Sequence, residues 1–322
     1  MRALSLIRLQ DRHVHMETHT SSRGRALTGI GLMCLGIFFL CVMDATVKWL
    51  NQSLNPMMVV WGRYFFAFVV TITLINPRTH PGVMRSRNIS LQILRSLFLF
   101  MSTIAVFVAL RFLQLVENMA IMFSAPLLVA LLAGPVLGER VGMRHLTVIA
   151  TGLLGVLIII RPGLGIMHPA ALLTLLGALS YACYGITTRL VATYDSAATT
   201  TFYGSISGAV LTSLALPLFW DASAGLYTWA LMVVTGVLAT IGHWLLAHAH
   251  VRAPASDLWP FNYSQIIWML AFGYILFGDW PDMWTWVGVA ITASAGSFVV
   301  YSEQQKARGS ALKKGARPRS LA

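Results

Sequence analysis

Charge is scarce in this chain. Asp, Glu, Lys and Arg make up 11% of its 322 residues, and only 11 residues are acidic. A soluble domain carries roughly a quarter charged residues, so a water-facing globule is excluded. Cysteine is nearly absent. Cys34, Cys41 and Cys183 are the three present, all within apolar segments and none in a CxxC pair. That excludes a disulfide framework and a cysteine metal site, and leaves small packing residues. No GxxxxGK[ST] loop occurs, so no ATP-driven engine is encoded. HExxH and GxSxG are missing too, as is a compact His/Asp pair, and the loops are too short to house a site outside the apolar segments. A membrane-embedded acyl or glycolipid transferase is the enzyme alternative, and it finds no constellation here. The expectation is a protein that is not an enzyme, with no cofactor and no metal. His243 and His250 stand seven apart without a third ligand. No filter repeat or ring of charge suggests a channel.

Apolar sequence is what the chain has in quantity: 57% of its residues are hydrophobic. A membrane span needs about 20 mostly apolar residues. Ten segments qualify: 27–49, 56–75, 91–110, 117–137, 144–160, 169–189, 199–219, 226–248, 254–277 and 282–301. Turn chemistry separates them, as at Asn76-Pro77, Pro162-Gly163 and Gly278 to Pro281. Only helices satisfy their backbone within one span, so the fold class is all-α, a polytopic membrane protein. Residues 1–25 form a polar tail with five arginines and no cleavable leader, and Met16 is an alternative start.

The net charge of +12 lies in tails and short loops. That pattern suits lipid head groups, not nucleic acid. With both termini inside, 19 of the 23 Lys and Arg residues fall on the cytoplasmic side, with residues 76–95 counted as a basic loop. The bias places both termini in the cytoplasm and the protein in the cell inner membrane.

The chain also reads twice. Glu117 is matched by Asp257 and Gly138-Glu139 by Gly278-Asp279, each 140 residues later. Leu35-Gly36, Thr46 and Lys48 are matched by Leu176-Gly177, Thr187 and Arg189 at an offset of 141. The link after Glu139 is basic (Arg140, Arg144), whereas the link after Asp279 is acidic (Asp282). Equivalent loops thus fall on opposite faces, which defines two inverted five-helix repeats, 26–160 and 165–301, followed by a basic tail over 302–322. Inverted repeats imply a carrier working by alternating access around a central cavity.

The run Asp44-Ala-Thr-Val-Lys48-Trp-Leu, Arg63, Pro126, Gly138-Glu139, and Ala253-Pro254 through Pro260, Phe261 and Tyr263 resembles the drug/metabolite transporter superfamily. The similarity is to its EamA-type members with ten spans and covers about residues 26–301. One departure is Asp279, where that family often has Glu. The resemblance implies a central substrate cavity between two five-helix repeats. It leaves open whether the cargo is an amino acid, a drug, a nucleoside-like compound, a flavin or S-adenosylmethionine, and in which direction it moves.

Ionisable groups inside a membrane cost about 2.5–3.5 kcal/mol each on insertion scales, so each needs a reason. Asp44 and Lys48 are four apart, a spacing that lets them pair or gate. Arg63 lies deep in the second span and either binds an anionic substrate group or balances Asp44. Glu117 opens the fourth helix, where a carboxylate caps the dipole. Trp259, Asn262, Tyr263, Gln265 and Trp268 crowd the ninth span and read as a pocket wall or as bundle filling. Tyr181, Tyr184 and Thr188 share a face of the sixth span, and His243 is the deeper histidine of the eighth. Asn118 and Ser124 are the polar candidates of the fourth span, with Pro126 as a kink. These aromatics suit a flat ring, in the order riboflavin, then S-adenosylmethionine or a nucleoside-like metabolite. Small residues (Gly152, Gly155, Ala290, Ala293, Ser294, Ser297) mark helices 5 and 10 as close-packing within the chain or as a homodimer face.

Overall fold

The computed structural model describes residues 27–74, 82–137, 143–161, 168–221, 224–253, 258 and 261–315, and every described regular element is helical. Glu139, Pro254, Asp257, Trp259 and Pro260 lie outside these residues. The helices are α1 (Leu27–Leu50), α2 (Pro56–Leu74), α3 (Ile89–Ala109), α4 (Leu115–Met122), α5 (Ala125–Leu137), α6 (Met143–Ile160), α7 (Ala170–Val191), α8 (Ala197–Ala215), α9 (Leu226–Arg252), α10 (Ser264–Phe277) and α11 (Met283–Gly315). Seven described helical stretches are long and apolar enough to cross a membrane, with α4 and the start of α5 counted as one. Together with α6, α10 and α11 they make the ten crossings expected of a multi-pass bundle.

The fourth crossing is broken, not merely kinked. Phe123 and Ser124 form a turn between α4 and α5. Pro126, second in α5, has no N–H to offer the Met122 carbonyl, so the ladder lapses there. Ser124 Oγ donates to the Ile121 carbonyl at 2.7 Å and helps close the turn. At the other end of this crossing the backbone N–H of Gln114 donates to Glu117 Oε2 at 3.1 Å, so Glu117 is a capping carboxylate.

The offset of 140–141 maps α1 on α7, α2 on α8, α3 on α9, α4 and α5 on α10, and α6 on α11. The packing obeys that map. α3 lies along α7, and in the image of that contact α1 lies along α9, where a Cβ on Gly36 would stand 3.0 Å from the Gly242 carbonyl. Gly177, the counterpart of Gly36, does the same work against Ala105 and Val106 of α3. α5 meets α7, and α1 meets α10 through Phe38 and Trp268, with ring centroids 4.9 Å apart. The pairs α2·α8, α6·α11 and α4·α10 are their own images. Even a local detail repeats: Thr46 Oγ1 donates to the Val42 carbonyl and Thr187 Oγ1 to the Cys183 carbonyl, both four residues back.

Gly152 and Gly155 are used inside the chain. A Cβ on Gly155 would stand 2.5 Å from Thr292 Oγ1, and one on Gly152 would stand 2.8 Å from the Ala295 Cβ, so α6 rests directly on α11. Exposed Leu, Ile and Met side chains, among them Leu94, Leu97 and Met101 of α3 and Leu172, Leu176 and Leu179 of α7, cover the outer wall as lipid contact requires. Trp49, Trp220, Trp280, Trp284 and Trp286 are exposed near one end of the bundle, the position of an interfacial aromatic belt.

Candidate functional site

Two helices carry inward-facing residues that are nevertheless open to solvent. On α7, Thr174, Gly177 and Ala178 are buried against neighbouring helices. Tyr181 continues that stripe at i+3 and i+4, in the middle of the helix, yet 43% of its surface is accessible. On α9, Met232, Gly236 and Ala239 are buried, and His243 continues that stripe but is exposed. An inward residue at mid-membrane depth is exposed only where the bundle encloses accessible space.

Charge converges on this space. Arg63 of α2 is 8% exposed. Its Nη1 donates to Thr103 Oγ1 of α3 at 3.2 Å, and its guanidinium lies 5.0 Å from the Tyr64 ring centre and 5.4 Å from that of Phe107. Its Nε is buried without a hydrogen-bond partner. Asp44 of α1 and His243 of α9 both lie within electrostatic reach of Arg63. Asp44, Arg63 and His243 thus come together from three helices, although neither Asp44 nor His243 ion-pairs with Arg63.

The sequence-level pairing of Asp44 with Lys48 is overturned. Lys48 Nζ reaches across 231 residues to Asp279 Oδ2 at 2.5 Å and also donates to the Leu113 carbonyl at 3.0 Å. Gly278 makes this possible. Its φ of 68° lets the Gly278 and Asp279 amides close back on the Tyr274 and Gly273 carbonyls, and this turn presents Asp279 to α1. Beside it, Arg161 pairs with Asp282 at 2.5 Å. Burial acts to raise the Asp282 carboxyl, but the Thr285 amide and Arg161 outweigh it and hold the carboxyl below its ordinary value. These two pairs tie the first repeat to the second at one end of the bundle.

At the opposite end stands a residue that charge counting misplaced. Charge counting places Arg95 in a basic loop over 76–95. It lies inside α3, which begins at Ile89 behind an N-cap from Asn88 to the Leu91 amide, and it is 5% exposed. Its Nε donates to Thr188 Oγ1 at 2.9 Å, Nη1 to the Thr200 carbonyl at 3.2 Å and Nη2 to Tyr184 OH at 2.8 Å. Tyr184 and Tyr181 have ring centres 5.4 Å apart. The α7 face foreseen from spacing is therefore real, and Arg95 is the partner that sequence reasoning missed. Below it, Asp195 accepts from Ser86 Oγ at 2.5 Å, the Arg87 amide at 2.8 Å and Gln92 Nε2 at 2.9 Å. Burial opposes ionisation of Asp195, but these hydrogen bonds prevail and hold its carboxyl below the usual range.

The remaining candidates divide. Asn118 is buried and accepts from Thr174 Oγ1 at 2.6 Å, and Ser124 is consumed by the α4–α5 turn, so both serve helix contacts. Tyr263 donates to the Ala293 carbonyl at 2.8 Å and meets Phe123 edge-on at 5.2 Å. Trp268 packs on Phe38 and Phe272. These two rings fill the bundle at least in part. Asn262 and Gln265 are half-buried at the start of α10.

A ten-crossing bundle of two image-related halves, with charge and accessible space at its centre, is the architecture of a secondary transporter. The chain belongs to the EamA-like transporter family, whose pattern matches it twice, over residues 27–161 and 168–301. It is 26% identical over 279 residues to a protein of Rickettsia felis named S-adenosylmethionine uptake transporter, covering 87% of this chain and 94% of that one. It is 29% identical over 196 residues to the riboflavin transporter of Vibrio cholerae, covering 60% of this chain and 64% of that one. It is 24% identical over 266 residues to the pseudopaline exporter CntI of Pseudomonas aeruginosa, covering 81% of this chain and 92% of that one. A solved crystal structure superposes with a TM-score of 0.57 at 17% identity, over 85% of this chain and 98% of the other, which supports the fold.

Proposed function

We propose that this protein carries a small, flat aromatic metabolite across the inner membrane by alternating access, with both termini in the cytoplasm. The single observation behind the proposal is a pair of inward-facing yet accessible residues, Tyr181 beside Tyr184 and His243 within electrostatic reach of the buried, partly unpartnered Arg63. The cargo is of the flavin or adenosyl type, riboflavin first and S-adenosylmethionine next. Relatives bearing those two names support that order of chemistry. Asp44, Arg63, His243, Tyr181 and Tyr184 line the binding space, Lys48 with Asp279 forms its outer gate, and Asn262, Gln265 and Trp268 border it. The repeats over 26–160 and 165–301 are the bodies that move, and the tails over 1–25 and 302–322 stay in the cytoplasm. A homodimer would have to use the outer stripe of α6 and α11 (Leu154, Leu157, Ala290, Ser294), because Gly152 and Gly155 are occupied within the chain.

The test is thermal stabilisation of the detergent-purified protein by riboflavin, S-adenosylmethionine, nucleosides and amino acids. A ligand that binds only the folded state raises the melting temperature with concentration. A flavin or adenosyl compound should do so, and Arg63→Ala should abolish the shift while the protein still inserts and folds. Stabilisation by aliphatic amino acids alone would refute the flat-ring reading.

A further inference from the structure

Arg95 is a buried cation at membrane depth, and all its partners are neutral: Thr188, Tyr184 and the Thr200 carbonyl. No carboxylate of the described residues lies within ion-pair reach of it. A guanidinium has five N–H groups. Three are taken, which leaves one on each Nη nitrogen for a charge-assisted bond to a carboxylate. Next to Arg95 on α3, Ser96 Oγ is 2% exposed and has no hydrogen-bond partner. The Tyr184 ring, 4.6 Å from the guanidinium, stacks towards Tyr181, which is open to the accessible space. A purely structural tie between α3, α7 and α8 would be cheaper with an uncharged side chain, because each buried charge must be offset. Arg63 cannot fill the same role at the same place. It contacts Thr103, eight residues further along α3, which is about 12 Å away at 1.5 Å per residue.

We infer that Arg95, with Tyr184 and Tyr181, forms an anion subsite of the cavity that takes a carboxylate of the transported molecule. The inference rests on the cavity reading above and narrows it to cargo that carries a carboxylate, such as the aminobutyryl carboxylate of S-adenosylmethionine; riboflavin lacks one, so the subsite moves S-adenosylmethionine ahead of riboflavin in the order given above. Tyr181 offers a ring face beside the anion, so cargo carrying a carboxylate a few bonds from an aromatic system is best served.

The experiment measures binding to the purified full chain with matched probes, each a free carboxylate and its carboxylate-free analogue. The pairs are S-adenosylmethionine with decarboxylated S-adenosylmethionine, tryptophan with tryptamine, and methionine with its methyl ester. In the wild type, at least one carboxylate should bind about tenfold more tightly than its partner, the loss expected for a charge-assisted contact. Arg95→Gln should erase that preference and leave the analogue unchanged. Arg95→Lys, which keeps the charge without the guanidinium, should retain part of it. Tyr184→Phe gives a milder variant should Arg95→Gln fail to fold, and it should reduce the preference about threefold through loss of the Tyr184 contact. A wild type that prefers no carboxylate, or a preference that survives Arg95→Gln or is unmoved in Tyr184→Phe, would overturn the inference. An Arg95-dependent preference confined to methionine would uphold it while refuting the flat-ring cargo. Tight binding of S-adenosylmethionine with no carboxylate preference in any pair would do the reverse.

Discussion

The value of a charged residue here depends on what surrounds it. Asp195 has an ordinary environment and a simple signature. Its carboxyl is held below the usual value by Ser86, the Arg87 amide and Gln92. A depressed carboxylate stabilises the fold fully above its unfolded value, about pH 4, and that contribution is lost as pH falls through its lower folded value. Hydrogen-exchange protection over residues 82–92 and 195–200, taken relative to the intrinsic exchange rate at each pH, should therefore be high near neutrality and fall below about pH 4. Asp195→Asn should be less protected near neutrality, converge with the wild type at low pH and lose most of that dependence; an unchanged profile would show that the carboxylate does not hold the two turns together. Arg63 and Arg95 are different, because each is buried with no carboxylate of the described residues at ion-pair distance. Arg63 was legible as a lone charge deep in an apolar run. Arg95 was not, because it lies near a basic loop and was counted with it. The apolar span 91–110 already contained Arg95, and the basic-loop count over 76–95 overlapped it; Asn88, whose side chain accepts from the Leu91 amide, marks a helix start earlier still. Lys48 was misread for another reason. An i,i+4 spacing says which residues share a face, but Asp279 comes from 231 residues away.

Among the helices, α6 and α11 make the tightest test of how small residues set the architecture. A Cβ on Gly288 would stand 2.6 Å from the Gly155 carbonyl, so any larger side chain must push the two helices apart. Gly288→Leu should lower stability by about 1–3 kcal/mol, the usual cost of overpacking, read as a fall in melting temperature in detergent. Gly31→Ala is the contrast. Nothing lies within 4 Å of its Cβ, so the change should be neutral or stabilising, since Ala favours a helix over Gly by about 1 kcal/mol. Equal damage from both would mean that glycine packing does not define the α6·α11 contact. All ten crossings were readable from apolar run length. The split of the fourth into α4 and α5 was anticipated only as a kink at Pro126, because sequence marks where a hydrogen bond is missing but not how far the chain then turns.

For the whole molecule, the inverted repeat is what links fold to function. It was visible as matched residues at 140–141 with opposite loop charge, and the structure adds that the main helix contacts, α3 with α7 and α1 with α9 among them, repeat as images, down to Gly36 and Gly177. Lys48 with Asp279 and Arg161 with Asp282 join the halves at one end, and the Asp195 hydrogen bonds hold loops together at the other. A carrier must break one such set when it opens the other side. The cavity contents were less legible than the frame, because which inward residues meet accessible space depends on helix separation and not on periodicity. Uptake of radiolabelled riboflavin and S-adenosylmethionine into proteoliposomes is the most direct test. Saturable uptake of at least one, lost in Arg63→Ala while the variant keeps its melting temperature, is the predicted result; no uptake above empty vesicles, or uptake that Arg63→Ala leaves intact, would contradict it.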